Sequence, residues 1–181
     1  MTPTLSLRLN ALGLFVISAV LIVAFADQLV LHDLPCPLCI LQRAGFVVAG
    51  FGLALNLRFG PRASHYAVMI IGAVVGGVIA VRQILIHILP GSGAYGSPLF
   101  GLHFYTWAFI VFTLIVLGTA AMLLFDRQFV DGERSTKRLG GLSLGAFGLF
   151  ALVVLGNGIS TVLECSAGLC PDNPTDYLLL R

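Results

Sequence analysis

Leu34-Pro35-Cys36-Pro37-Leu38-Cys39-Ile40-Leu41-Gln42-Arg43 is the stretch from which the rest of the chain is read. Pro37 lacks a backbone donor and has its φ pre-set for a first helical turn, so a helix starts there with Cys36 at its cap and Cys39 in its first turn. From Leu38 to Leu57 the side chains are apolar or small apart from Gln42, Arg43 and Asn56. About 20 residues of that kind match the thickness of bilayer hydrocarbon, which makes this a membrane-spanning helix with a dithiol at its mouth. Both sulfurs feel the positive end of the helix dipole, and Arg43 follows Cys39 by one turn on the same face. A helix N-terminus and a nearby cation lower a thiol pKa, and the thiolate is the form that attacks disulfides. The arrangement points to electron transfer between protein thiols and a lipid-soluble acceptor.

The composition agrees with the helix. Of 181 residues, 58% are hydrophobic and 10% charged, with mean hydropathy +1.01, which excludes a water-exposed globular surface. The chain is read as an all-α integral membrane protein, a single transmembrane helical domain over 1–181. Its spans are expected at about 9–31, 38–57, 66–89, 104–125 and 139–163, followed by a cysteine-containing tail, 164–181. Gly72 with Gly76, and Gly141 with Gly145, have the spacing that lets membrane helices approach closely. A net charge of +2 gives no argument for a nucleic-acid partner. No phosphate-binding glycine loop, paired catalytic carboxylates or nucleophile triad is present in the sequence.

Orientation follows from the basic residues, which short loops retain on the cytoplasmic side. Arg8, the turn with Arg58 and Arg62, and the segment with Arg127, Arg134, Lys137 and Arg138 fall on one side of the five spans. The opposite connections carry His32, Asp33 and the lysine- and arginine-free stretch from Pro90 to His103. The N-terminus is therefore expected inside, and the C-terminus and both cysteine pairs outside. Four cysteines in two close pairs fit disulfide chemistry in an oxidising compartment. Arg8, the apolar run and Ala24-Phe25-Ala26 imitate a cleavable signal peptide, but the uncharged stretch from Leu9 to Ala26 exceeds the usual hydrophobic region, so it is read as a retained span.

Blander roles compete for the same residues. A Cys-x-x-Cys pair could be half of a zinc site, yet no second Cys/His pair with ligand spacing follows nearby, and no metal is expected. A purely structural bridge would close a loop too short to constrain much. Arg43 alone would suit an interfacial anchor, and only its spacing from Cys39 argues otherwise. Asp27, His32, Tyr95, His103 and Trp107 are read as ordinary interface residues. The loop from Pro90 to His103, with apolar Tyr95, Leu99, Phe100 and Leu102, could lie along the membrane surface and cover a pocket.

Cys36-Pro37-Leu38-Cys39-Ile40-Leu41-Gln42-Arg43, opening the second span of a small helical bundle, resembles the DsbB family of disulfide-generating membrane oxidoreductases, over about Arg8 to Phe125. The resemblance implies a four-helix bundle in the bacterial inner membrane that re-oxidises a periplasmic DsbA-like thioredoxin-fold protein and passes electrons to ubiquinone or menaquinone. It makes Cys36 and Cys39 the quinone-coupled pair, with Cys39 contacting the quinone and Arg43 stabilising charge there. A family histidine near the outer end of the third span brings His87 into the quinone site, with Arg82 close to the depth of Arg43; interfacial snorkelling is the competing role for both.

The sequence departs from that pattern in one place. The family's second cysteine pair lies between the third and fourth spans, whereas here Cys165-Ser-Ala-Gly-Leu-Cys170 follows a fifth helix that usual members lack. Cys165 and Cys170 are read as a relocated partner-facing pair, against a disulfide that merely staples the tail. Two further readings stay open: a non-catalytic membrane scaffold, and an electron exporter that reduces outer proteins. The topology has a direct test. After reduction, a membrane-impermeant thiol label applied outside sealed cells should reach Cys165 and Cys170; labelling only from the inside would mean a miscounted span.

Overall fold

A computed structural model describes residues 1–89, 91, 93, 96, 98–130, 140–166 and 168–181; Tyr95, Arg134, Lys137, Arg138 and Leu139 lie outside the described residues. Helix α1 covers Pro3–Val30, α2 Pro37–Phe59, α3 Ala63–Ile86, α4 Phe104–Leu123, the short α5 Arg127–Val130 and α6 Gly141–Cys165, with a 3-10 turn at Leu178–Leu180. Five of these helices are long and apolar enough to cross a membrane. The protein is an all-α integral membrane protein.

Local chemistry sets the ends more sharply than hydropathy does. Helix α1 begins before the apolar run because Thr2 caps it, its hydroxyl accepting the Leu5 N–H at 3.3 Å, with Pro3 in the first turn. Helix α3 stops at Ile86 rather than Leu89, where His87 closes it by donating its N–H to Gln83 O at 3.2 Å and Ile84 O at 3.1 Å. Large apolar side chains lie bare on the outer faces, among them Val78 at 65%, Leu114 at 61% and Leu152 at 69% exposure. Such a surface is compatible with lipid and not with water.

Helix α2 packs between α1 and α3, α4 lies against α3 and touches α2, and α6 lies against α1 and reaches α2. The α2–α3 contact is nearly backbone to backbone. A Cβ on Gly72 would stand 2.8 Å from Ala49 N, and one on Gly45 would stand 2.9 Å from Gly76 Cα. The Phe112 ring of α4 covers Gly76 and stacks on Phe46 with centroids 4.0 Å apart. The small-residue reading therefore holds for Gly72 and Gly76. It fails for α6: a Cβ on Gly141 meets nothing within 4 Å, and one on Gly145 only Phe15 at 3.8 Å. That helix instead lays Phe150 over Gly50 and buries Ala146, Asn157, Ser160 and Glu164.

The end of the bundle opposite the cysteines is closed by a polar knot. Ser6 Oγ donates to Gln128 Oε1 at 2.8 Å and Tyr66 Oη donates to the same oxygen at 2.9 Å. Asn10 Nδ2 donates to Tyr66 Oη at 3.0 Å, and Asn56 Nδ2 to Asn10 Oδ1 at 2.9 Å. His65 Nδ1 and the Arg62 N–H meet Asn56 Oδ1 at 3.0 and 3.1 Å. In hydrocarbon such groups must satisfy one another, so the knot fixes α1, α2, α3 and α5 in register.

Gly76→Ala should destabilise the bundle by about 1–3 kcal/mol, since the new methyl group drives into the Phe112 ring. Gly118→Ala, where a Cβ meets nothing within 4 Å, should be close to neutral. Thermal unfolding in detergent compares the two.

Candidate functional site

The site begins with the cap of α2. Cys36 is the N-cap, its Sγ accepting the Cys39 N–H at 3.2 Å, and Pro37 takes the first helical position. The two cysteines form a disulfide. Cys36 is buried at 5% exposure, whereas Cys39 is half-buried. Gln83 of α3 lies against both sulfurs, its Nε2 3.3 Å from Cys36 Sγ and 3.5 Å from Cys39 Sγ. Gln42 Nε2 donates to Gln83 Oε1 at 2.6 Å, which fixes the direction of the Gln83 amide.

One turn deeper, Arg43 is held by other helices. Its Nη1 donates to Gln28 Oε1 at 2.7 Å and Asn157 Oδ1 at 3.2 Å, and its Nη2 to Ala24 O at 2.8 Å. Gln28 Nε2 in turn donates to Ser160 Oγ at 2.7 Å and to Tyr177 Oη of the tail at 3.0 Å. The acceptors on Arg43 are neutral, so its positive charge stays unneutralised by contact, and no ion pair to it occurs among the described residues. Asp27 and Glu164 lie within electrostatic reach. Glu164 is fully buried, and neither carboxylate oxygen has a hydrogen-bond partner among the described residues.

Cys39 and Arg43 line one cavity of about 790 Å³ between α1 and α4, with α2 at its back. Val16, Val20, Val23, Phe46, Ala108 and Val111 form apolar walls, and Asp27, Gln42 and the tail residues Asn173–Thr175 complete the polar end. Its volume is that of a small-molecule site. Asp27, His32 and Trp107, read from sequence as ordinary interface residues, also line it. Gly96 and Leu99 of the loop before α4 contribute, and the Trp107 indole N–H donates to Leu99 O at 2.9 Å, so this part of the loop does border a pocket.

The other two arginine and histidine candidates stand apart. Arg82 is exposed on α3 and is not among the cavity-lining residues. His87 does not line the cavity either; it stacks on Tyr105, which does, at 5.5 Å between centroids. His103 stacks on the same Tyr105 at 5.3 Å. Cys165 and Cys170 form a second disulfide at the end of α6, with Cys165 buried, Cys170 half-buried and the intervening Leu169 97% exposed. Both pairs occupy the same end of the bundle, because the tail after Cys170 borders the cavity and bonds to Gln28. Cys165 and Cys170 are not among the residues lining the cavity that holds Cys39 and Arg43.

Sequence reasoning missed Gln28, Gln83, Asn157, Ser160 and Glu164. The signal was available: a polar side chain in an apolar span faces the bundle interior. Weighing only the outer arginines and histidines passed over the amides that position them.

Residues 6–97 match the family of disulfide bond formation protein DsbB. Disulfide bond formation protein B of Xylella fastidiosa (strain Temecula1) is 30% identical over 143 residues, 74% of this chain and 77% of the relative. The protein of that name from Xanthomonas euvesicatoria pv. vesicatoria is 34% identical over 126 residues, 66% of this chain and 73% of the relative. The Marinobacter nauticus protein of that name is 39% identical over 81 residues, 42% and 48% of the two chains. No solved structure matches the chain.

Arg43→Ala should lower stability by about 1–3 kcal/mol, because it strips the donors from buried acceptors on α1 and α6. Arg43→Lys should recover only part, since an ammonium cannot span acceptors on two helices as the planar fork does. A snorkelling anchor would tolerate Lys, so equal unfolding temperatures for Arg43→Lys and wild type would remove this role.

Proposed function

Because the chain belongs to the DsbB family, and is therefore a multi-pass membrane oxidoreductase that generates disulfide bonds, we propose that it draws electrons from a DsbA-like thioredoxin-fold protein and passes them to quinone. The observation that carries the reading is the convergence of Cys39, Arg43 and an apolar cavity at one end of the bundle. Apolar walls suit the ring and tail of a ubiquinone or menaquinone, and the donors on Arg43 and Gln42 suit its ring oxygens. A guanidinium has more donors than the three bonds made here use, which leaves capacity for an anionic oxygen. A bound quinone would supply the acceptor for the two electrons released when Cys36 and Cys39 re-form their disulfide.

The difference in burial between the cysteines supports a relay. Cys36 is too buried for direct attack by a folded partner, whereas Cys170 is half-exposed beside a fully exposed Leu169. A partner thiolate attacks Cys170, releasing Cys165, and the partner's second thiol completes its own disulfide and leaves the tail pair reduced. The tail dithiol then attacks Cys36–Cys39, so that Cys165–Cys170 re-forms as Cys36–Cys39 is reduced. Each exchange passes through a mixed disulfide, and access and leaving-group pKa set its direction. In this reading the protein sits in the bacterial inner membrane, N-terminus in the cytoplasm and C-terminus in the periplasm. His87 acts on the cavity through Tyr105, and Arg82 is an interfacial residue on the lipid side.

Quinone reduction driven by a reduced thioredoxin-fold protein tests the proposal in purified material. Cys39→Ser should abolish it while leaving the bundle folded. A Cys165→Ser, Cys170→Ser double variant should slow it at least about tenfold, since the accessible pair is gone. Near-normal turnover in Cys39→Ser would sink the relay, and near-normal turnover in the double variant would mean that the partner reaches Cys36 directly.

A further inference from the structure

We propose that Gln83 is part of the redox centre: its side-chain amide, aimed by Gln42, sets the reduction potential of Cys36–Cys39 by stabilising the reduced pair. The inference rests on the reading that this pair carries electrons.

An amide in a membrane-spanning helix is costly unless both of its ends are occupied. Gln83 is fully buried, and its carbonyl oxygen is occupied by the Gln42 N–H at 2.6 Å. Its nitrogen points at sulfur, 3.3 Å from Cys36 Sγ and 3.5 Å from Cys39 Sγ. A disulfide sulfur is a weak acceptor and a thiolate a strong one, so an N–H held at this distance contributes little while the S–S bond exists. Reduction breaks that bond and places two electrons and a proton on the two sulfurs, leaving one thiol and one thiolate. The Gln83 N–H then becomes a hydrogen bond to a charged acceptor, worth roughly twice a neutral one. The amide thus favours the reduced state selectively.

Gln42 makes the preference directional. Were the Gln83 amide reversed, its oxygen would face the sulfurs and oppose the thiolate, acceptor against acceptor. The Gln42 N–H on Oε1 holds the opposite orientation. Gln83 touches the reacting sulfurs, and Gln42 is a positioning residue that acts through it. Arg43 does not compete for the task, because its observed bonds go to Gln28, Asn157 and Ala24. Among the described residues, the donors directed at sulfur are the Cys39 backbone N–H, which meets Cys36 Sγ at 3.2 Å, and the Gln83 amide.

The test is a thiol-disulfide equilibrium of the full-length protein in detergent, poised with reduced and oxidised glutathione, without quinone or partner protein. Differential alkylation and mass spectrometry of the digest read the oxidised fraction at Cys36/Cys39 and, separately, at Cys165/Cys170. Gln83→Met keeps length and bulk but has no donor, and should shift the Cys36–Cys39 equilibrium toward the disulfide by about tenfold. Gln42→Met, which frees the Gln83 amide to reverse, should shift it the same way by less. The tail pair should not move in either variant, as a check on folding. An unshifted Cys36–Cys39 equilibrium in Gln83→Met overturns the inference; if that variant does not fold, an unshifted equilibrium in Gln42→Met does so. Either result would leave the electron-carrying role standing. Quinone turnover that survives Cys39→Ser removes that role instead and leaves a measured shift intact.

Discussion

A guanidinium cannot be left bare in hydrocarbon, and the cysteine end of this bundle is organised around the need to surround Arg43 with acceptors. Helix α1 gives Ala24 O and Gln28, and α6 gives Asn157. Gln28 extends the arrangement to Ser160 and to Tyr177 of the tail. The fifth span is thereby part of the site rather than an appendage, although the family match ends at residue 97, well before it. Helix α6 has no small-residue seam against its neighbours. Its attachment relies on the ring of Phe150 and on these polar contacts.

Two sets of donors divide the chemistry at this end. Arg43 lines the apolar cavity, and Gln83 lies on the sulfurs. Access is graded in the same direction that electrons travel in the proposed relay. Cys170 is half-exposed, Cys36 is buried, and Cys39 borders the cavity. In the proposed relay, the surface that would meet a protein is separate from the cavity that would meet a lipid-soluble molecule.

Much of the architecture was legible because lipid is a demanding solvent. Runs of apolar residues located the spans, and Pro37 located the start of α2 to the residue. Helix α1 extends beyond the apolar run because Thr2 and Pro3 signal a helix through capping, which hydropathy ignores. The glycine spacing worked where an aromatic ring and a facing glycine fill the groove, at Gly72 and Gly76, and failed at Gly141 and Gly145, where no partner comes close. Spacing along one helix put Arg43 beside the dithiol but could not say that its bonds go to α1 and α6, or that Gln83 from α3 would reach the sulfurs. Those are facts of tertiary pairing between residues 15 to 114 positions apart. Trp107 and Asp27 show a related limit, since a residue at the membrane interface can also border a cavity that only the assembled bundle creates.

The polar knot at the other end has a consequence for how the bundle is built. It joins Ser6 and Tyr66 to Gln128, partners separated by 122 and 62 positions. Chains are made N-terminus first, so α1, α2 and α3 are synthesised before Gln128. Until it arrives, Ser6 and Tyr66 have each other but lack their shared acceptor, and that end of the nascent trio is held less firmly than in the finished protein. Gln128 acts as a late-arriving latch. The order of synthesis thereby imposes an order of locking, with the end remote from the cysteines sealed only after the fourth span is in place.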